Sequence, residues 1–146
     1  MTVTLLPSSL TLTANRLKME EGLRRLPYKD SRGFWTFGYG HNMETTPVSE
    51  AACAFILMED IENAENELIR TFPVYLKQSD VRKSVLIDMM FNMGPKALAE
   101  FETFLRYLSA EMYDLAAKDM LTSEWAKEIG HRAQVLSQMM ATNQWV

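Results

Sequence analysis

The sequence predicts an α+β chain that is mainly α, with a small β-hairpin lobe joined by a long helix to a larger helical lobe. Three observations predict it. An amphipathic segment ending at Glu21 gives way to an aromatic, strand-forming stretch broken by the tight turn Asp30-Ser31-Arg32-Gly33. From about residue 50 to 70 the chain is apolar all round in its first half and one-faced in its second, which suits a strut buried at one end and solvated at the other. Beyond Phe72-Pro73, apolar side chains recur at helical spacing between short breaks. A chain of 146 residues supplies one compact domain with enough core to fold without staples.

Taken in order, Pro7-Ser8-Ser9 reads as loop, with Thr11 or Thr13 placed to cap the helix that follows. Leu12, Leu17 and Met19 are its expected apolar face, and Gly22 is placed to end it. Tyr28, Phe34, Trp35, Phe37 and Tyr39 are strand formers on either side of the turn. Gly38 and Gly40 are too few for a phosphate-binding loop and are expected to let the backbone run close to a flat ligand. Ser49 is an N-cap for the long helix, whose start, AACAFILM, is expected to be buried. Leu57, Ile61, Ala64 and Leu68 then share one face.

The next helix, from Ser79 to Gly94, carries Val81, Val85, Leu86, Met89, Met90 and Met93 and should be central; Gly94-Pro95 breaks it. Asp88 and Asn92 stand one turn apart on it and need partners. The remainder is a series of short helices with breaks near Glu102-Thr103, Ser109, Thr122-Ser123 and Gly130. Their expected core is Met112, Leu115, Ala116, Met120 and Trp125, with His131 as a solvated or capping residue.

Composition excludes several functions. Residues 1–45 hold six Lys/Arg against four Asp/Glu, a net +2, while 46–72 hold one against six, a net −5. The basic footprint of a nucleic-acid binder is missing. Cys53 is the sole cysteine, expected as a buried thiol, and the two histidines are far apart, so no metal and no cofactor are expected. No stretch approaches the roughly 20 apolar residues of a membrane span, and the start lacks a secretory signal. The chain is thus expected to remain in the cytoplasm where it is made until something else releases it.

Glu21 and Asp30 are the candidate chemistry. One carboxyl arriving on a helix and another on a neighbouring hairpin can face each other across a cleft, the arrangement glycoside hydrolysis needs. A carboxyl at a helix C-terminus meets the negative end of the dipole, which suits a group that must hold a proton. Singly, Glu21 reads as a solvated residue, Asp30 as a turn residue bonded to its own backbone, and Thr36 as a strand residue.

Read jointly, Glu21, eight residues, Asp30, five residues, Thr36, then Gly38-Tyr39-Gly40-His41 resembles the signature of phage lysozymes (endolysins) of glycoside hydrolase family 24, the T-even type. EGLR, YKD, the turn glycine Gly33, FNMG at 91–94, Phe101 and the Trp125 to Arg132-Ala133 region extend the likeness over most of residues 13–135. The resemblance implies one lysozyme-like domain over residues 1–146. Its small lobe would span about 20–50, the interlobe helix about 50–70, and the helical lobe about 73–146 plus the N-terminal helix, with the active-site cleft between the lobes. It departs between His41 and Ser49, where seven residues stand in place of a longer insertion with an extra helix, so the small lobe should offer fewer walls to a glycan. The first ten residues have no counterpart in the family pattern.

The resemblance casts Glu21, partly buried, as proton donor, with Asp30 ionised and Thr36 holding a water in an inverting arrangement. The two carboxyls are then expected about 6.5–9.5 Å apart. It places Asn92 in the cleft and brings Arg132 to the catalytic glutamate from the helical lobe. The implied substrate is the peptidoglycan glycan strand, cut at the β-1,4 bond between N-acetylmuramic acid and N-acetylglucosamine. The implied enzyme is a monomer that reaches the wall through a holin-type membrane lesion. A lytic transglycosylase would use the glutamate without bound water, and a non-catalytic lysozyme-like binding module would need none of the three side chains.

Overall fold

The computed structural model describes residues 8–146. The segment 1–7, which includes Pro7 of the expected loop and most of the N-terminal extension, lies outside the described residues. The chain divides into two compact units, residues 1–53 and 54–146. Helix α1 (Ser8–Glu21), strands β1 (Arg24–Lys29), β2 (Trp35–Gly38) and β3 (His41–Asn42), and the start of helix α2 (Glu50–Thr71) fall in the first. The second holds the rest of α2, a 3-10 turn (Pro73–Lys77), and helices α3 (Asp80–Ala99), α4 (Glu102–Ser109), α5 (Tyr113–Leu121), α6 (Glu124–Ile129) and α7 (His131–Thr142). This is the mainly helical α+β composition read from the sequence.

Helix α1 starts earlier than expected. Ser8 and Ser9 are helical, and Thr13 lies inside the helix, its hydroxyl donating back to the Ser9 carbonyl at 2.9 Å. Both threonines lie inside a helix that begins at Ser8, so neither acts as its cap. Leu12, Leu17 and Met19 do not form a packed face: all three are exposed. At 3.6 residues per turn Leu17 lies about 140° round from Leu12, too far for one stripe. Gly22 adopts φ +68, the left-handed geometry that closes a helix, and its N–H reaches the Lys18 carbonyl at 3.2 Å.

The predicted hairpin is present and gains a third strand, in the order β1-β2-β3, all antiparallel. Tyr28 pairs with Thr36 and Lys29 with Trp35; Thr36 and Phe37 pair in turn with Asn42 and His41. Strand β3 is two residues long, too short to show a period in sequence. Successive side chains on a strand face opposite ways. Thr36 is therefore turned inward at 3% exposure, while its neighbour Trp35 is turned outward at 46%.

Past β3, Asn42 Oδ1 accepts from the Glu44 and Thr45 amides at 2.9 and 3.0 Å. Glu44 Oε1 accepts from Trp35 N at 2.9 Å and from Lys29 Nζ at 3.3 Å, which holds its carboxyl below the usual value. No helix intervenes before α2, which Ser49 caps by accepting from Ala52 N at 3.2 Å.

The second unit is organised by apolar burial. Its core meets α2 only from Ala64 onward, taking Ala64 and Leu68. The run 51–58 is exposed, and so is Cys53, contrary to the buried start and buried thiol expected there. An apolar composition marks a segment that can be buried, but burial requires neighbours, and the core begins a turn or more later.

Helix α3 is central as predicted, burying Val81, Val85, Leu86, Met89 and Met90; Ser79 caps it, and its geometry breaks at Gly94, ahead of Pro95. The later breaks fall within a few residues of those expected. Ala116, Met120 and Trp125 are core, but Leu115 is exposed, because the buried side of α5 is the one carrying Ala116, Ala117 and Met120; Met112, which precedes α5, is exposed as well. Arg82 fastens the far end of α7 by donating from Nε to the Met140 carbonyl at 2.9 Å.

Candidate active site

Glu21 ends α1, where Gly22 turns the chain into β1. Its carboxyl rests against the turn after β2. A Cβ built on Gly40 would stand 3.0 Å from Glu21 Oε2 and 3.3 Å from its carboxyl carbon. Gly40 also holds φ +79, so both its backbone and its missing side chain are used: it turns the strand and leaves room for Glu21. Gly38, at φ +65, has no such neighbour: a Cβ there would meet nothing within 4 Å. Glu21 is otherwise exposed rather than partly buried, since the turn touches one side of its carboxyl and leaves the other open.

Asp30 is the corner of the hairpin. Its Oδ1 accepts from Arg32 N and Phe34 N, both at 2.9 Å, and its own main chain bonds Gly33 and Phe34 at the same distance. A hydrogen bond from the Phe34 amide outweighs desolvation and holds its carboxyl below the ordinary value, with smaller help from the Arg32 amide and the Arg32 guanidinium 4.0 Å away. The turn reading and the functional reading of Asp30 are therefore not alternatives, because the turn's amides keep the carboxylate ionised.

Thr36 sits one register step away, opposite Tyr28, and its Oγ1 donates to the Phe34 carbonyl at 3.1 Å. Phe34 thus ties the two residues together: its N–H holds the Asp30 carboxylate, and its carbonyl accepts from Thr36 Oγ1 and Asp30 N. With its one proton spent on Phe34, the Thr36 hydroxyl keeps only acceptor capacity.

The two residues expected from the helical lobe lie in the second unit. Asn92 is exposed, and its Oδ1 accepts from Trp125 Nε1 at 2.8 Å. An indole can only donate, so this bond fixes which end of the amide faces inward and leaves the NH2 group outward. Arg132 donates through Nη2 at 2.9 Å and Nε at 3.0 Å to Asp88 Oδ1. The pair lies on a pocket of about 310 Å³ that Leu57, Ile61, Ser84, Ile87 and Phe91 also line.

Sequence reasoning marked Asp88 and Asn92 as polar positions on a central helix but missed both partners. Trp125 and Arg132 lie 33 and 44 residues further on, and no local pattern links them. Among the described residues no cluster of three or more His, Cys, Asp or Glu could hold a metal ion, and no helix is long and apolar enough to cross a membrane.

Several known proteins resemble this chain along most of its length. The "Endolysin" of Salmonella phage P22 is 34% identical over 77% of this chain and 79% of its own length. "Probable T4-type lysozyme 1" of Dictyostelium discoideum is 25% identical over 86% of this chain and 91% of its own. The "Pre-baseplate central spike protein Gp5" of Enterobacteria phage T4 is 24% identical over 88% of this chain, which spans 27% of that longer protein. A family model described as "Phage lysozyme" matches residues 18–141, a range that includes Glu21, Asp30, Thr36, Asn92 and Arg132. The chain belongs to the phage lysozyme family.

Proposed function

We propose that this chain is a muramidase for bacterial cell lysis. It cleaves the β-1,4 bond between N-acetylmuramic acid and N-acetylglucosamine, with inversion. Family membership supports the coarser statement, that it is a glycosidase of the lysozyme kind acting on peptidoglycan. The finer reading rests on one observation: the main chain of Phe34 joins an ionised Asp30 to a Thr36 whose hydroxyl can only accept.

A water donating one proton to Asp30 and the other to Thr36 Oγ1 keeps a lone pair aimed at the anomeric carbon. Glu21 gives its proton to the leaving oxygen from the other side. Asp30 takes up the water's proton as the new bond forms, and its negative charge stabilises the oxocarbenium-like transition state. Asn92 offers its outward NH2 to an acceptor on the substrate, and Arg132, steadied by Asp88, offers its remaining N–H groups to a carboxylate. No cofactor takes part. The enzyme works as a monomer at the wall, reached through a membrane lesion made by a holin-type partner.

Mass spectrometry of fragments released from purified sacculi tests this. Hydrolysis leaves reducing-end N-acetylmuramic acid. A product lighter by one water, the 1,6-anhydro form, would make the chain a lytic transglycosylase. Binding without release of fragments would make it a non-catalytic module.

A further inference from the structure

The sheet of the first unit has a second face. Trp35 directly precedes Thr36 on β2 and points away from it; the residue is 46% exposed. Its cross-strand partner Lys29 lays its ammonium 4.4 Å from the ring centroid. Glu44 closes the arrangement from the following turn, accepting from Trp35 N at 2.9 Å and Lys29 Nζ at 3.3 Å. A large aromatic ring is thereby left half in water, with the Lys29 ammonium over one face and the Glu44 carboxylate bonded to the main chain beside it. Nothing in the proposed chemistry uses it.

We propose that Trp35, Lys29 and Glu44 form a second glycan-binding platform, which grips a neighbouring strand of the same wall polymer. The proposal rests on the reading of the chain as a peptidoglycan hydrolase. A pyranose ring with equatorial substituents presents a flat C–H face that covers an indole, while its hydroxyl and acetamide groups lie at the edge, within reach of Lys29 and Glu44. An indole already packed under Lys29 on one face loses less freedom than a free side chain when a sugar stacks on the other. Charge points the same way. Residues 1–45 carry a net +2 in a chain of −4, so the cationic part of the protein bears the platform, and the peptide stems of peptidoglycan are rich in carboxylates.

The platform and Thr36 occupy opposite faces of one thin sheet, so a single straight strand cannot lie on both. A cross-linked sacculus offers a second strand, and holding it raises the effective concentration of substrate without changing the chemical step. Soluble, uncross-linked strands offer no such gain.

The test uses both substrates. In a Glu21→Gln background, Trp35→Ala should lower retention on purified sacculi about tenfold, a modest share of what two-point attachment can supply. With Glu21 intact, Trp35→Ala should slow solubilisation of sacculi several-fold yet cleave soluble uncross-linked strands at the parent rate. Trp35→Leu, which keeps apolar bulk but no flat face, should behave like Trp35→Ala, while Trp35→Phe should recover most of the retention. Unchanged retention in Trp35→Ala and Trp35→Leu overturns the platform, and so does an equal fall on both substrates. If the chain cleaves neither substrate but its retention still depends on Trp35, the hydrolase reading fails and the platform stands.

Discussion

The hairpin of the first unit and the helical second unit are held together by different physics. Between Arg24 and Thr46 the fold depends on a few polar side chains catching backbone amides: Asp30 holds Arg32 and Phe34, Asn42 holds Glu44 and Thr45, and Glu44 holds Trp35. Between Ala64 and Met140 it depends on side chains shut off from water, with Leu68, Val85, Met89, Phe104 and Met140 at full burial. A core excludes the water and charge that hydrolysis needs. A hairpin wired through its main chain can keep a carboxylate ionised, fixed and wet. The first design suits chemistry and the second suits stability, and this division can be broken experimentally at either end.

The largest effect should come from the proposed acid. Glu21→Gln keeps the shape beside Gly40 but cannot deliver a proton, so lysis of permeabilised cells should fall by roughly 10²–10⁴-fold or more. The thermal midpoint should hardly move, because Glu21 lies outside the core. Near-normal lysis by a folded Glu21→Gln protein would remove the acid from the account.

The opposite pattern should follow in the second unit. Phe104 is fully buried, and Phe104→Ala should cost about 3–5 kcal/mol by denaturant unfolding. The fraction that remains folded should lyse cells at the parent specific rate. A specific activity that fell with stability would blur the division between the two units.

Gly40→Ala joins the two effects in one residue. The left-handed backbone costs an alanine about 1–2 kcal/mol. The new Cβ would also meet Glu21 Oε2 at 3.0 Å and displace the carboxyl. Activity should therefore drop by more than the loss of stability explains. A drop matching stability alone would mean that the contact with Glu21 is incidental.

The smallest effect is the titration of Asp30. Its carboxyl should titrate below the ordinary 3.8, read by side-chain carbon NMR. Because the native value is depressed, its contribution to the turn is complete above 3.8 and is lost as pH falls through the lowered native value. Asp30→Asn keeps an acceptor for both amides, so the hairpin should survive while lysis fails. A normal or raised Asp30 value would show that the amide bonds do not hold in solution.

The same contrast explains what was legible in the sequence. The hairpin turn, the cap at Ser49, the centrality of α3 and the break at Gly94-Pro95 rest on local chemistry, which a sequence carries on its face. Glu21, Asp30 and Thr36 could be proposed together because they lie within sixteen residues of one unit at fixed spacing. Burial was misjudged where it depends on distant neighbours: at Leu12, Leu17 and Met19 on α1, at 51–58 and Cys53 on α2, and at Met112 and Leu115. The Asp88–Arg132 and Asn92–Trp125 pairs were hidden for the same reason, since partners 44 and 33 residues apart leave no local signature.

The central claim is that Asp30 and Thr36 direct a water at the sugar, and the stereochemistry of the first product tests it most directly. Proton NMR of the fresh reducing end, recorded before mutarotation, should show the α-anomer from the β-linked strand, because a single attack from behind inverts the centre. An initial β-anomer, or a glycosyl ester trapped on Asp30, would make Asp30 a nucleophile and contradict the role assigned to Thr36.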